Sequence, residues 1–149
     1  MTKHSAITAA TMLRGLTTVV YQAADHEAAK RWYTEFLGIS PYFDRPGYAE
    51  FRLGDYQHEF GLLDAKFAGQ LGGEQSSATG PGGAIVYWHV DDLQGTLDRL
   101  VSLGAKPHHP PRDFGEGFIG ATVIDPFGNL LGIMYNPHYL EVLGARTKA

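Results

Sequence analysis

Apolar and polar positions along the chain fall into two blocks that follow the same order. Residues 16–23 are an apolar run rich in β-branched side chains, which predicts a strand. Asp25 stands where its carboxylate can take the free amide hydrogens of a first helical turn. Ala29, Trp32, Tyr33, Phe36 and Leu37 then recur at helical spacing as one buried stripe, and Gly38 supplies the left-handed stop. Short strands are predicted at 41–44, 48–53 and 59–63, with Arg45-Pro46-Gly47 and Gly54-Asp55 as turns between them.

The order then repeats. Residues 84–90 predict a strand, Asp92 a cap, and Leu93, Leu97, Leu100 and Leu103 a helical stripe that stops at Gly104. Strands follow at 118–124 and 130–135. Cap and stop lie 13 residues apart in the first block (Asp25 to Gly38) and 12 in the second (Asp92 to Gly104). His58 to Leu63 also matches Asn129 to Met134 in apolar pattern and glycine position. One βαβββ unit leaves a sheet face uncovered, whereas two can enclose a curved, half-open cavity. The expected fold class is therefore α+β: two βαβββ modules joined into a curved mixed sheet around a cavity, with helices packed outside. Between the blocks, residues 69–83 hold six glycines, two serines and a proline, and read as an exposed, mobile connector or a lid. The resulting division is a tail (1–12), a first module (13–68), the connector (69–83), a second module (84–137) and a second tail (138–149).

Composition narrows the function classes. A chain of 149 residues, 44% hydrophobic and 19% charged, has the make-up of a soluble globular protein. With no cysteine, disulfides, thiolate metal sites and a cysteine nucleophile are excluded. The net charge of −4, with no basic cluster, argues against nucleic acid as a partner. No signal peptide or membrane-spanning run is read, so a cytoplasmic setting without membrane association is the expectation.

The βαβββ repeat, Asp25 through Leu37-Gly38, Val90-Asp91-Asp92-Leu93 and Asp125-Pro126-Phe127-Gly128-Asn129 together resemble the vicinal oxygen chelate superfamily. That group is also known as glyoxalase / bleomycin resistance protein / extradiol dioxygenase, and the resemblance runs over residues 13–137. It implies one divalent metal held by His and Glu side chains on the cavity floor. Counting seven residues back from each capping aspartate, the first-strand ligand positions are Thr18 and Ile85. The last-strand position, three beyond Asn129, is Gly132, and its first-module counterpart is Gly61. Ile and Gly carry no donor and a neutral Thr hydroxyl is a poor one, while a catalytic site needs about three protein ligands. The expectation is no metal at these positions and no cofactor.

Strand alternation assigns the remaining candidates. Thr18, Val20 and Gln22, and likewise Ile85, Tyr87 and His89, should line the cavity, with Val19, Tyr21, Ala23, Val86, Trp88 and Val90 toward the helices. Glu59 shares the cavity face with Gly61 and Leu63, and Glu50 and Arg52 turn to it as well. Three readings of these polar residues stay open: a relocated His89/Glu59/Glu50 metal site, a solvated salt-bridge network of Glu50, Arg52 and Glu59, or a ligand site in which Arg52 grips an anionic or carbonyl group. Tyr42, Tyr48, Tyr87, Phe114 and Phe118 are the aromatics able to stack on a flat ligand. His108 and His109, between prolines, belong to a loop or edge and should point oppositely. His58 reads as a core histidine, and His4, His26 and His138 as terminal or exposed.

The leading expectation is a metal-independent binder of a small, planar or aromatic molecule, which the resemblance links to bleomycin-resistance proteins. Its ligand-binding residues would be Gln22, Tyr48, Glu50, Arg52, Glu59, Tyr87, His89 and Phe114. The alternative is a glyoxalase- or dioxygenase-like lyase or isomerase, with a displaced metal or with Glu50, Glu59 or His89 as acid–base groups. A third reading is an interaction module only. Members of the superfamily commonly pair, so a homodimer is expected, and the apolar residues of 137–143 could dock on a partner.

Overall fold

The computed structural model describes residues 12–71 and 84–148. Residues 1–11 of the N-terminal tail, residues 72–83 of the connector and Ala149 lie outside the described residues. Each module begins with a strand, a capped helix and a return to the sheet. In the first, β1 (Thr18–Ala23) leads to α1 (His26–Leu37), where Asp25 Oδ1 accepts from the Ala28 amide at 3.1 Å. Gly38 closes α1 at φ 73°, a left-handed angle that glycine adopts without a Cβ penalty. β2 (Phe43–Arg45), β3 (Tyr48–Leu53) and β4 (His58–Asp64) complete the sheet, in the order β1-β4-β3-β2. A 3₁₀ helix (Ala65–Leu71) follows and takes in the first residues assigned to the connector.

The second module repeats this plan with β5 (Tyr87–His89), α2 (Leu93–Ser102), β6 (Lys106–Gly115), β7 (Phe118–Ile124) and β8 (Leu130–Tyr135), ordered β5-β8-β7-β6. Asp92 Oδ1 caps α2 through the Gly95 amide at 2.9 Å. In both sheets the first strand pairs in parallel with the last, and the other pairings are antiparallel. The α+β architecture of two βαβββ modules is therefore present, each with its own hydrogen-bonded ladder.

Two elements were not read from the pattern. β6 is an edge strand, exposed along its whole length, with register shifts beside its prolines. Pro107, Pro110 and Pro111 have no amide hydrogen to give, so the strand survives only at an edge and only with bulges. Of the segment read as a tail, residues 138–148 belong to helix α3 (Pro137–Lys148). The first strand of the second module is also shorter than expected, three residues rather than seven.

One apolar core spans both modules. Tyr21, Tyr33, Phe60 and Leu62 from the first pack with Leu100, Val123, Leu131 and Ile133 from the second, on the helix-facing sides of the sheets. The Phe60 and Trp88 rings meet edge to face, 6.1 Å apart, across the junction. Polar bonds pin the same junction: Tyr21 Oη donates to the Leu130 carbonyl at 2.7 Å, Trp32 Nε1 to the Leu103 carbonyl at 2.7 Å, and Asn129 Nδ2 to the Gln22 carbonyl at 2.8 Å. His26, expected at the surface, is buried instead, with Nε2 2.9 Å from the Leu62 carbonyl oxygen. It is the first residue of α1, and that turn faces β4. Among the described residues no helix is long and apolar enough to cross a membrane.

Candidate functional site

With the core on one side, each sheet turns its opposite face outward, and alternation fixes what that face carries. In the first module the register sets Thr18 beside Glu59 and Arg52, Val20 beside Gly61 and Glu50, and Gln22 beside Leu63 and Tyr48. The hydroxyls and carboxylates of this face bond in pairs. Thr18 Oγ1 donates to Glu59 Oε1 at 2.6 Å, and Tyr48 Oη donates to Glu50 Oε2 at 2.7 Å. Burial, the bond to Glu50 and the nearby charges of Glu50 and Glu59 push the Tyr48 hydroxyl well above the ordinary tyrosine range, so it stays a proton donor. Among the described residues Arg52 joins no ion pair. Its guanidinium lies 3.6 Å from the centre of the Tyr42 ring instead. The salt-bridge network of Glu50, Arg52 and Glu59 is thus replaced by two hydroxyl–carboxylate pairs and a cation–π stack.

The corresponding face of the second module holds a groove of about 580 Å³. Phe114, Met134 and Tyr87 close over Gly120 at its base: a Cβ built there would lie 3.3–3.4 Å from them. Phe114 and Tyr87 are exposed into the groove. Its far wall is β6, which contributes His108, His109 and Arg112. The imidazoles of His108 and His109 stand 4.6 Å apart and nearly perpendicular, so they do not point oppositely. The register shift between Pro107 and His109 breaks strict alternation there, and the His109 amide bonds the Thr122 hydroxyl at 3.2 Å.

The positions where the superfamily pattern puts metal ligands can now be tested for fit. Thr18 gives its hydroxyl hydrogen to Glu59, and Ile85 is an exposed hydrocarbon. Gly61 lies under Tyr48, whose hydroxyl would overlap a Cβ built on the glycine. Gly132 lies under Tyr87, with Tyr87 Cδ1 and the Val86 carbonyl oxygen each 2.7 Å from a built Cβ. Two of the four positions thus hold a tyrosine ring where a ligand side chain would have to start. These residues do not fit a chelated divalent metal. Among the described residues no three His, Cys, Asp or Glu side chains gather elsewhere as a set able to hold a metal ion.

His89 is placed apart from Glu50 and Glu59. α3 covers it, the Tyr139 ring stacks on it at 5.0 Å and 13°, and both ring nitrogens are engaged. Nδ1 accepts from the Asn136 amide at 3.0 Å, which leaves Nε2 to donate to Asp91 at 2.9 Å. Tyr139 Oη is tied in turn to Asp55 at 2.7 Å, and burial, with that bond, pushes its pKa up to about 12. Gln22 keeps its place on the outward face of β1, near the Asn129 side chain that its carbonyl receives. Tyr48, Glu50 and Glu59 come together on one face and Tyr87 and Phe114 on the other. Arg112 was missed, and His109 taken for a loop or edge residue, because 106–115 was not read as a strand. The repeat itself carried the signal, since a second βαβββ unit needs a strand between α2 and β7.

Comparison with known proteins agrees with this geometry. A family model described as the Glyoxalase/Bleomycin resistance protein/Dioxygenase superfamily matches residues 15–133. Among solved structures, a glyoxalase-related enzyme from Fulvimarina pelagi is 22% identical with a TM-score of 0.68, covering 84% of this chain and 90% of that one. A lactoylglutathione lyase from Agrobacterium tumefaciens is 20% identical with a TM-score of 0.62, covering 81% and 92%. A glyoxalase/bleomycin resistance protein/dioxygenase family enzyme from Burkholderia phytofirmans PsJN is 17% identical with a TM-score of 0.64, covering 79% and 95%. At these identities the likeness speaks for the fold. No curated protein matches the chain in sequence.

Proposed function

The chain belongs to the glyoxalase/bleomycin resistance protein/dioxygenase superfamily, and from that premise we propose that it binds a small planar organic molecule without a divalent metal, as a sequestering protein of the bleomycin-resistance kind. The observation that carries this reading is the pair of tyrosines, Tyr48 over Gly61 and Tyr87 over Gly132, which occupy the space a chelating side chain would need. Aromatic and apolar side chains stand exposed on the same outward faces, namely Val20, Phe43, Tyr87 and Phe114. Such surface favours a flat, apolar guest, which stacks on rings and displaces water from them. A second copy of the chain, bringing the face of its other module opposite, would convert two open faces into one enclosed cavity; a homodimer in the cytoplasm is part of the proposal.

The test uses the purified full chain. Metal analysis should find no stoichiometric zinc, iron, manganese or nickel, and dialysis against a chelator should leave the melting temperature unchanged. A thermal-shift screen of planar aromatic molecules should raise it, because a ligand that binds only the folded state stabilises that state by mass action. Stoichiometric metal whose loss abolishes ligand binding would overturn the reading. Light scattering tests the dimer, which a monomer at all concentrations would exclude.

One observation favours a second reading, a lyase or isomerase that works by proton transfer. Glu50 and Glu59 are half-buried carboxylates, each holding a hydroxyl, and a carboxylate so placed can take a proton next to a carbonyl. In that case Glu59→Gln would abolish turnover of a hemithioacetal or α-hydroxy ketone and leave binding in place.

A further inference from the structure

The groove of the second module differs in charge from the rest of the molecule. The whole chain carries a net charge of −4, yet among the described residues no carboxylate lines this groove, and its ionisable wall residues are His108, His109, Arg112 and Tyr87. The carboxylates of the outward faces, Glu50 and Glu59, belong to the first module and are each held by a hydroxyl. Among the described residues that line the groove, Arg112 carries the permanent charge. Its guanidinium lies 5.2 Å from the centre of the Phe114 ring, so the fork stands at the edge of the aromatic wall.

We infer that this groove is a binding site for an aromatic carboxylate. This deepens the reading above and rests on it. The Arg112 fork takes the carboxylate through paired, charge-assisted hydrogen bonds, a geometry that a planar two-oxygen anion matches and an amine cannot. His108 and His109 add donors on the same wall. The ring of the ligand stacks on the exposed faces of Phe114 and Tyr87, whose side chains close over Gly120. A volume of about 580 Å³ suits a molecule of one to three fused rings rather than a bare inorganic anion. The guest is therefore anionic, against what the overall charge alone would favour, because a charge in contact outweighs a diffuse field screened by salt.

The experiment compares three ligands of one shape on the full-length protein: 2-naphthoate, 2-naphthamide and 2-naphthylmethylamine, by isothermal titration at pH 7. The carboxylate should bind about tenfold more tightly than the amide, the step expected for one charged, bidentate contact, and the amine more weakly still. Arg112→Gln should bring the carboxylate down to the level of the amide without moving the amide itself, and Arg112→Lys should recover part of the difference. Phe114→Ala should weaken all three alike. Equal binding of the three ligands, or an Arg112→Gln variant that holds the carboxylate as tightly as the parent, overturns the inference and leaves the planar-molecule reading standing. Binding by none of the three overturns the inference, and if the wider planar screen is also silent the reading on which it rests falls with it.

Discussion

Tyr33 and Asp125 stand 92 residues apart in the chain and share a buried hydrogen bond of 2.5 Å, from the phenol to Oδ2. Tyr33 lies on α1 of the first module and Asp125 opens the turn between β7 and β8 of the second. The same carboxylate also receives the Phe127 and Asn129 amides, at 2.9 and 2.8 Å, and so shapes that turn while it joins the modules. Tyr33→Phe should keep the ring in the core and remove only the donor. A loss of about 1.5–3 kcal/mol is expected, the range for hydrogen bonds to charged groups. Urea unfolding would show it as a lower midpoint with an unchanged slope.

The same carboxylate sets a pH dependence. Burial raises the Asp125 pKa above 3.8, and the bonds from Tyr33, Asn129 and Phe127 oppose that rise without cancelling it. The folded state therefore binds the proton more readily than the unfolded state, and this group alone makes stability fall as pH rises through its raised pKa. Measured against Asp125→Asn, which does not titrate, the parent should gain stability as pH falls from neutral through that raised pKa. The gain should level off below about 3.8, the unfolded value. A difference between the two proteins that stays flat across the range would contradict the assignment.

The two roofed glycines should respond unequally to a methyl group. At Gly132 the new Cβ would meet the Val86 carbonyl oxygen as well as the Tyr87 ring. Backbone cannot swing aside, so Gly132→Ala should cost about 1–3 kcal/mol, as overpacking does. Adding Tyr87→Ala should recover only part of it. At Gly61 the neighbour is the hydroxyl end of Tyr48, which can rotate away. Gly61→Ala should therefore cost less in thermal unfolding, while it releases Tyr48 from Glu50.

Docking of α3 depends on a ring stack more than on the hydroxyl that accompanies it. Tyr139→Phe keeps the contact with His89 and loses the exposed bond to Asp55, so stability should change by less than about 1 kcal/mol. Tyr139→Ala removes the stack and should cost about 1–2 kcal/mol more. Amide exchange separates the cases: the Asn136 amide, bonded to His89 Nδ1, should stay protected in the Phe variant and exchange faster in the Ala variant.

Local chemistry was legible in the chain. Asp25 with Gly38, and Asp92 with Gly104, mark the helices because a cap and a left-handed stop act within one turn of the residue that supplies them. The strand Tyr48–Leu53 follows from apolar alternation, and Phe118–Ile124 and Leu130–Tyr135 from short apolar runs bounded by turns. The resemblance to the superfamily, counted from the caps and the Asp125 turn and carried to Gly61 by the match of 58–63 with 129–134, named Thr18, Gly61, Ile85 and Gly132. What failed locally was β6, whose three prolines break the alternation by which a strand is recognised, and α3, which lacks a marked apolar stripe.

The chain alone thus determined two repeated modules, the faces of their strands and the absence of donor side chains at four spaced positions, since each of these depends on neighbours a few residues away. Only the tertiary structure decided that tyrosines lie over Gly61 and Gly132, that His89 turns under α3, and that His109, Arg112 and Phe114 of β6 share a groove with Tyr87. Those relations join residues from separate elements. They are fixed by sheet register, bulges and the packing of one element on another, none of which a local pattern encodes.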